Sequence, residues 1–96
     1  MRRCYLVCYD IRDPKRLRSV FQLLKGFGEH WQYSVFFCVL KDIDRVRLQV
    51  GLENCMNLKE DRALIIHLGR NEREVRKAIT SLGEALPSMD DGMVLV

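Results

Sequence analysis

Asp10 is the carboxylate at the end of an apolar run, Tyr5-Leu-Val-Cys-Tyr-Asp, and Arg12, Lys15, Arg16 and Arg18 follow it closely. A carboxylate is a ligand for a hard cation such as Mg²⁺, which takes one or two such groups and fills its other positions with water and phosphate oxygens. The neighbouring cations attract a phosphate backbone. The combination suggests chemistry on nucleic acid, and a single Asp per chain becomes sufficient if a two-fold axis brings a second Asp10 beside the first. A plainer reading is open too: an Asp at a strand end commonly accepts a hydrogen bond from the backbone two residues on and serves only the turn.

Other chemistry finds little support. His30 beside Trp31 and His67 within an apolar run lack the spacing of a metal pair. The sequence offers no Ser-His-Asp or Cys-His arrangement and no glycine-rich phosphate loop, so catalysis would rest on a metal and the water it activates. Tyr5, Tyr9, Tyr33, Phe36 and Phe37 have the composition of a base-stacking platform, but the Lys/Arg-Gly-Phe-Gly-Phe type of RNA-binding signature is missing, and packing is the simpler use for most of them.

The charge is unevenly spread. Residues 1–25 carry seven Arg or Lys against two Asp, a net +5, whereas residues 26–96 carry nine against eleven, a net −2. A polyanion is therefore expected at the N-terminal end, and a small-molecule regulatory role is disfavoured. Cys4 and Cys8, four apart on one strand, would have Cα atoms about 13 Å apart, too far for a disulfide. Cys38 and Cys55 complete no metal spacing, so four reduced thiols and a cytoplasmic location are expected. The N-terminal apolar run is too short for a signal peptide, and no run reaches the length of a membrane span.

The elements that must position Asp10 follow from pattern. Cys4 to Tyr9 reads as a strand, and Asp13 with Pro14 reads as the N-cap and first position of a helix bearing Leu17, Val20, Phe21 and Leu24. His30 to Leu40 is too long for one strand and is expected to break near Gln32 to Ser34 into a hairpin. Asp42 reads as the cap of a second helix to about Cys55, with Ile43, Val46 and Val50 inward. Arg62 to Leu68 is a fourth strand. Asn71 and Glu74 resemble a capping box for a third helix bearing Val75, Ala78, Ile79 and Leu82, and Met93 to Val96 reads as a terminal strand.

The order strand, helix, strand, strand, helix, strand is the α+β, ferredoxin-like βαββαβ pattern: one domain over residues 1–96 with residues 71–96 as a C-terminal extension of helix plus strand. Both alternating faces of the strands are apolar, and two helices cover only one, so a homodimer through the other face is expected, the terminal strand pairing at its interface.

Tyr-Leu-Val-x-Tyr-Asp-Ile-x-Asp at 5–13, Lys-Arg-Leu-Arg-x-Val at 15–20, Leu-Leu-Lys-Gly-Phe-Gly-Glu at 23–29, Gln-Tyr-Ser-Val-Phe at 32–36 and Glu-Asp-Arg at 60–62 together resemble the CRISPR-associated protein two family. The resemblance implies a ferredoxin-like homodimer, the small partner of the CRISPR integrase in spacer acquisition. It further implies a Mg²⁺ near the dimer axis shared by Asp10 of both chains, and metal-dependent cleavage of RNA or DNA. By motif it puts Tyr9, Asp10, Ser34 and Phe36 at the site and Arg12, Lys15, Arg16 and Arg18 on nucleic acid. His30 stands where the family commonly has Arg, which removes a fixed positive charge. A non-catalytic scaffold that holds double-stranded DNA for the integrase is the alternative function, and a toxin-type ribonuclease of a related family is a third.

Overall fold

Nine residues of mixed apolar and aromatic character, Arg2–Asp10, form the central strand β1 of a computed structural model in which residues 1–86 are described. Helix α1, Pro14–Lys25, starts as its sequence dictates: the Asp13 carboxylate accepts from the Arg16 N–H at 3.0 Å and Pro14 occupies the first turn. The long apolar run after it divides into β2, Glu29–Gln32, and β3, Val35–Lys41, with an irregular register between His30 and Gln32. Helix α2 spans Asp42–Cys55, β4 spans Arg62–Gly69, and a short α3 spans Glu72–Lys77.

The sheet is antiparallel throughout, in the order β2-β3-β1-β4, which is the ferredoxin-like arrangement expected from the element order. Its core lies under α1 and α2, where Tyr5, Val7 and Tyr9 of β1 and Phe36, Cys38 and Leu40 of β3 meet Val20, Leu24, Leu48 and Leu52. Gly28 lets the chain pass close to β3: a Cβ there would lie 2.4 Å from the Phe37 carbonyl oxygen.

The second face is apolar as well. α3 covers one side of it, where Val75 packs with Cys4 and Phe37, Trp31 stacks on Phe37 at 4.6 Å, and the Arg76 guanidinium lies over that ring while pairing with Glu29 and Glu72. On the other side Leu64, Ile66 and Leu68 of β4 are left 50%, 41% and 37% exposed. Between the two sides, a cleft of about 330 Å³ is lined by Leu6, Val35 and Leu68 of the sheet and by Ile79 and Leu82 of the chain after α3.

Several local expectations are corrected. Asp42 is the first residue of α2 and not its cap, since Lys41 holds the cap position and no side chain bonds there. Leu48 and Leu52 face the core, and Ile43, Val46 and Val50 face out, 55%, 57% and 48% exposed. The physical reason is the close approach at Gly51, where a Cβ would lie 2.9 Å from Leu23 Cδ1: α1 meets α2 along the glycine and so fixes which stripe is inside. Asn71 caps α3 by accepting from the Glu74 N–H at 3.0 Å, but the helix stops at Lys77, and Ile79 joins the Cys4–Phe37–Val75 cluster from outside it. Leu82 is 89% exposed. The expected terminal strand at 93–96 lies outside the described residues. All four cysteines are free, with Cys4 and Cys38 buried. No helix among the described residues is long and apolar enough to cross a membrane.

Candidate active site at the end of the sheet

Antiparallel pairing brings several chain segments to one end of the sheet. β1 ends there at Asp10, β4 begins there at Arg62, which is Asp10's partner in register, and the β2–β3 turn at Tyr33 and Ser34 lies beside them. The Ser34 carbonyl accepts from the Tyr9 N–H at 3.1 Å. α1 starts at the same end.

Asp10 is exposed, and its carboxylate makes no hydrogen bond or ion pair among the described residues. The bond to the backbone two residues on, which would mark a turn-forming Asp, is not made there. The acid that does cap local structure is Asp13, three positions along. Asp10 therefore presents unused lone pairs across from the exposed Arg62, its register partner, and shortly before the exposed Arg12, Lys15 and Arg18 in the chain, none of the four being ion-paired among the described residues. Among those residues no group of three His, Cys, Asp or Glu comes together to hold a metal, so one chain forms no complete cage around a cation at Asp10.

Arg16 is engaged differently from its neighbours. Its Nε donates to Asp61 Oδ2 at 2.8 Å, and its Nη2 donates to Asp61 Oδ1 at 3.2 Å and to Glu60 Oε1 at 2.9 Å. The expectation that it is free for phosphates gives way to a fork closed on two acids 44 and 45 positions away in the chain. Asp61 also accepts from the backbone N–H of Arg12 at 2.9 Å and of Asn57 at 2.9 Å. Its side chain is completely enclosed, and the Arg16 guanidinium above all, with the two backbone N–H groups, holds its carboxyl well below the usual carboxylate range. The sequence motif Glu60-Asp61-Arg62 was visible without a role. The signal lay in topology: β4 of this fold starts where β1 ends, so the acids just before β4 must face the residues just after β1.

Tyr9 and Phe36 belong to the core, 6% and 0% exposed, with ring centroids 6.3 Å apart. The Tyr9 hydroxyl donates to the Tyr33 carbonyl at 3.3 Å, and burial pushes its pKa up, so it stays protonated. His30 packs its ring against Phe21 and Phe36, centroids 5.0 and 4.9 Å away, and its Nε2 lies 2.9 Å from the Tyr33 carbonyl oxygen. Tyr9 and His30 thus both fix the turn that carries Ser34, from the helix-covered side of the sheet. Ser34 is half-buried and Tyr33 is 95% exposed.

The family described as CRISPR associated protein Cas2 matches residues 2–80. This chain belongs to that family. A relative in Rhodospirillum rubrum, named a CRISPR-associated endoribonuclease Cas2, is 38% identical over 92 residues, which are 96% of this chain and 89% of the relative. One of the same name in Thermodesulfovibrio yellowstonii is 37% identical over 91% of this chain and 92% of its own. The crystal structure of Streptococcus pyogenes Cas2 superposes with a TM-score of 0.74 at 30% identity, covering 83% of this chain and 99% of that one. Cas2 membership makes the CRISPR setting the frame for this site and sets aside the toxin-type reading.

Proposed function

We propose that this Cas2 protein is a metal-dependent endonuclease of CRISPR adaptation acting on RNA or DNA, with RNA favoured by the endoribonuclease names of its relatives. The observation that carries the reading is the open, unbonded carboxylate of Asp10 at one end of the sheet, opposite the exposed Arg62 and shortly before the exposed Arg12, Lys15 and Arg18 in the chain. The residues fit a hard cation such as Mg²⁺ on one condition, that Asp10 of a second copy completes the pair, since the ion needs only one or two carboxylates. The exposed Leu64, Ile66 and Leu68 support such a homodimer through the sheet face that α1 and α2 leave uncovered.

Mg²⁺ held by the two Asp10 side chains would supply an acidified water and neutralise charge on the scissile phosphate. The chain's own residues do the rest. Arg12, Lys15 and Arg18 engage the phosphate backbone and set its register. Arg16, closed on Asp61 and Glu60, acts on the site through its neighbours. Ser34 sits at the margin, while Tyr9, Phe36 and His30 hold its turn in place. Free thiols throughout and a nucleic-acid substrate fit a cytoplasmic protein.

The test is Asp10→Asn in a cleavage assay on single-stranded RNA and on DNA, with and without divalent metal. Loss of metal-dependent cutting is expected, and undiminished cutting removes Asp10 from the chemistry. A second reading is favoured by one observation: among the described residues no group of three His, Cys, Asp or Glu comes together, so one chain by itself assembles no complete metal-binding set around Asp10. On that reading the dimer is a scaffold that holds double-stranded DNA for the CRISPR integrase. Asp10→Asn would then still support spacer acquisition, and charge reversal at Arg12, Lys15 and Arg18 would abolish it.

A further inference from the structure

A carboxylate has about four lone-pair sites, and Asp61 fills all four from three residues, Arg12, Arg16 and Asn57. Oδ1 takes the Arg12 N–H and Arg16 Nη2; Oδ2 takes Arg16 Nε and the Asn57 N–H. The side chain is fully enclosed although the loop it sits on is at the surface. Such complete satisfaction is costly to assemble for a loop with no further task, and its reach explains what it holds.

Arg12 follows Asp10 by two residues, and Arg62, the residue after Asp61, is Asp10's partner across β1 and β4. Ile11, between Asp10 and Arg12, packs against the core, and Asp13, just after Arg12, caps α1. Asp10 is therefore fixed from the strand side by the neighbour of Asp61 and from the helix side by a backbone group bonded to Asp61.

We infer that Asp61, with Arg16 as its lock, is the positioning residue of the Asp10 site: it sets where the Asp10 carboxylate sits and so how tightly that site takes a divalent cation. The inference rests on the reading of Asp10 given above. Asp61 touches neither metal nor substrate. Its action passes through the Arg12 N–H and through the start of β4. The same lock neutralises Arg16, leaving Arg12, Lys15 and Arg18 as the cations of this segment that are open to phosphate.

Asp61→Asn tests this with little change of shape. Whichever way the amide is turned, its NH₂ meets two donors that formerly had an acceptor, so one side of the network is lost. The measurement is Mn²⁺ binding by calorimetry on the full chain, at a temperature where circular dichroism shows each variant folded. Wild type is expected to bind and Asp10→Asn not to bind. Asp61→Asn is expected to bind about 10–100-fold more weakly, the usual cost of removing an outer partner of a metal site. Arg16→Lys keeps the charge, loses the fork, and is expected at the lower end of that range, which keeps the test decisive if Asp61→Asn does not fold. Leu24→Ala, a core change remote from the network, should lower the melting temperature without altering Mn²⁺ affinity. Wild-type affinity in both Asp61→Asn and Arg16→Lys overturns the inference and leaves Asp10 as ligand. Equal weakening in Leu24→Ala overturns it as well, by showing a mere stability effect. Absence of binding by the wild type removes the Asp10 reading itself, and the inference with it.

Discussion

Replacing Ile66 by lysine places a charge in the middle of the open sheet face. Leu64, Ile66 and Leu68 are 50%, 41% and 37% exposed, which adds up to rather more than one whole side chain still in water. At about 1.5–3 kcal/mol for burying an aliphatic side chain, covering them contributes about 2–4 kcal/mol per protomer and twice that per dimer. This is comparable with the lower end of the cost of association, so the interface has little surplus to lose. Ile66 itself accounts for about 1–2 kcal/mol over both copies. Two lysine ammonium groups forced out of water add several kcal/mol more. Ile66→Lys is thus expected to weaken dimerisation a hundredfold or more, at about 1.4 kcal/mol per factor of ten. Sedimentation equilibrium over a concentration series reads this directly. Val46→Lys is the control: it changes a more exposed residue, 57%, on the outer face of α2, and should leave the dimer intact. A monomeric wild type, or an Ile66→Lys protein that keeps the wild-type dimer at every concentration, would refute the reasoning.

Gly28→Ala should lower stability by about 1–3 kcal/mol, because the new methyl meets the Phe37 carbonyl oxygen at 2.4 Å and Cys38 Sγ at 2.5 Å; thermal unfolding should show a drop of at least about 4 °C. The Cys38 thiol is pushed up to about 12, chiefly by burial, so it should resist alkylation at pH 8 in the native protein and react on unfolding, as mass spectrometry would show. Asp61 has a folded-state pKa held below its unfolded value, so its contribution is present above about pH 4 and is lost only as pH falls through the lower folded value. Asp61→Asn should therefore flatten the acid limb of a stability-against-pH curve while leaving its alkaline side unchanged in shape. Lys15→Ala should weaken nucleic-acid binding uniformly across sequences and, if Lys15 neutralises one phosphate, make the slope of log K against log salt shallower by about one, as a salt titration would read.

What the sequence makes legible is local or periodic. Asp13-Pro14 announces α1 because cap and first turn are adjacent in the chain, and the polar break at Tyr33-Ser34 splits β2 from β3 where strand length demands it. Asp10 could be found from its place at a strand end, but its freedom could not, because that depends on which neighbouring acid takes the local donors. The Arg16–Asp61 lock joins residues 45 apart, and only the adjacency of β1 and β4 brings them together. In α2 two apolar stripes satisfy helical spacing equally well, Ile43–Val46–Val50 and Leu48–Leu52. The choice between them is made by the approach of Leu23 at Gly51, a tertiary fact. α3 ends at Lys77, and Ile79 reaches the Phe37 cluster from beyond the helix, a contact that helical spacing alone does not reveal.

β4 carries a last consequence. Its residues, Arg-Ala-Leu-Ile-Ile-His-Leu-Gly, are rich in strand-forming side chains, contain no proline or lysine, and among the described residues have a neighbouring strand on one side only. A weakly charged, apolar edge of this kind is a template on which identical strands add in register. In the proposed homodimer, the second copy that covers the β4 face would also limit access to this strand for fibril growth. Unfolding by heat or dilution then competes with aggregation, and the melting point recorded will depend on how fast the sample is heated.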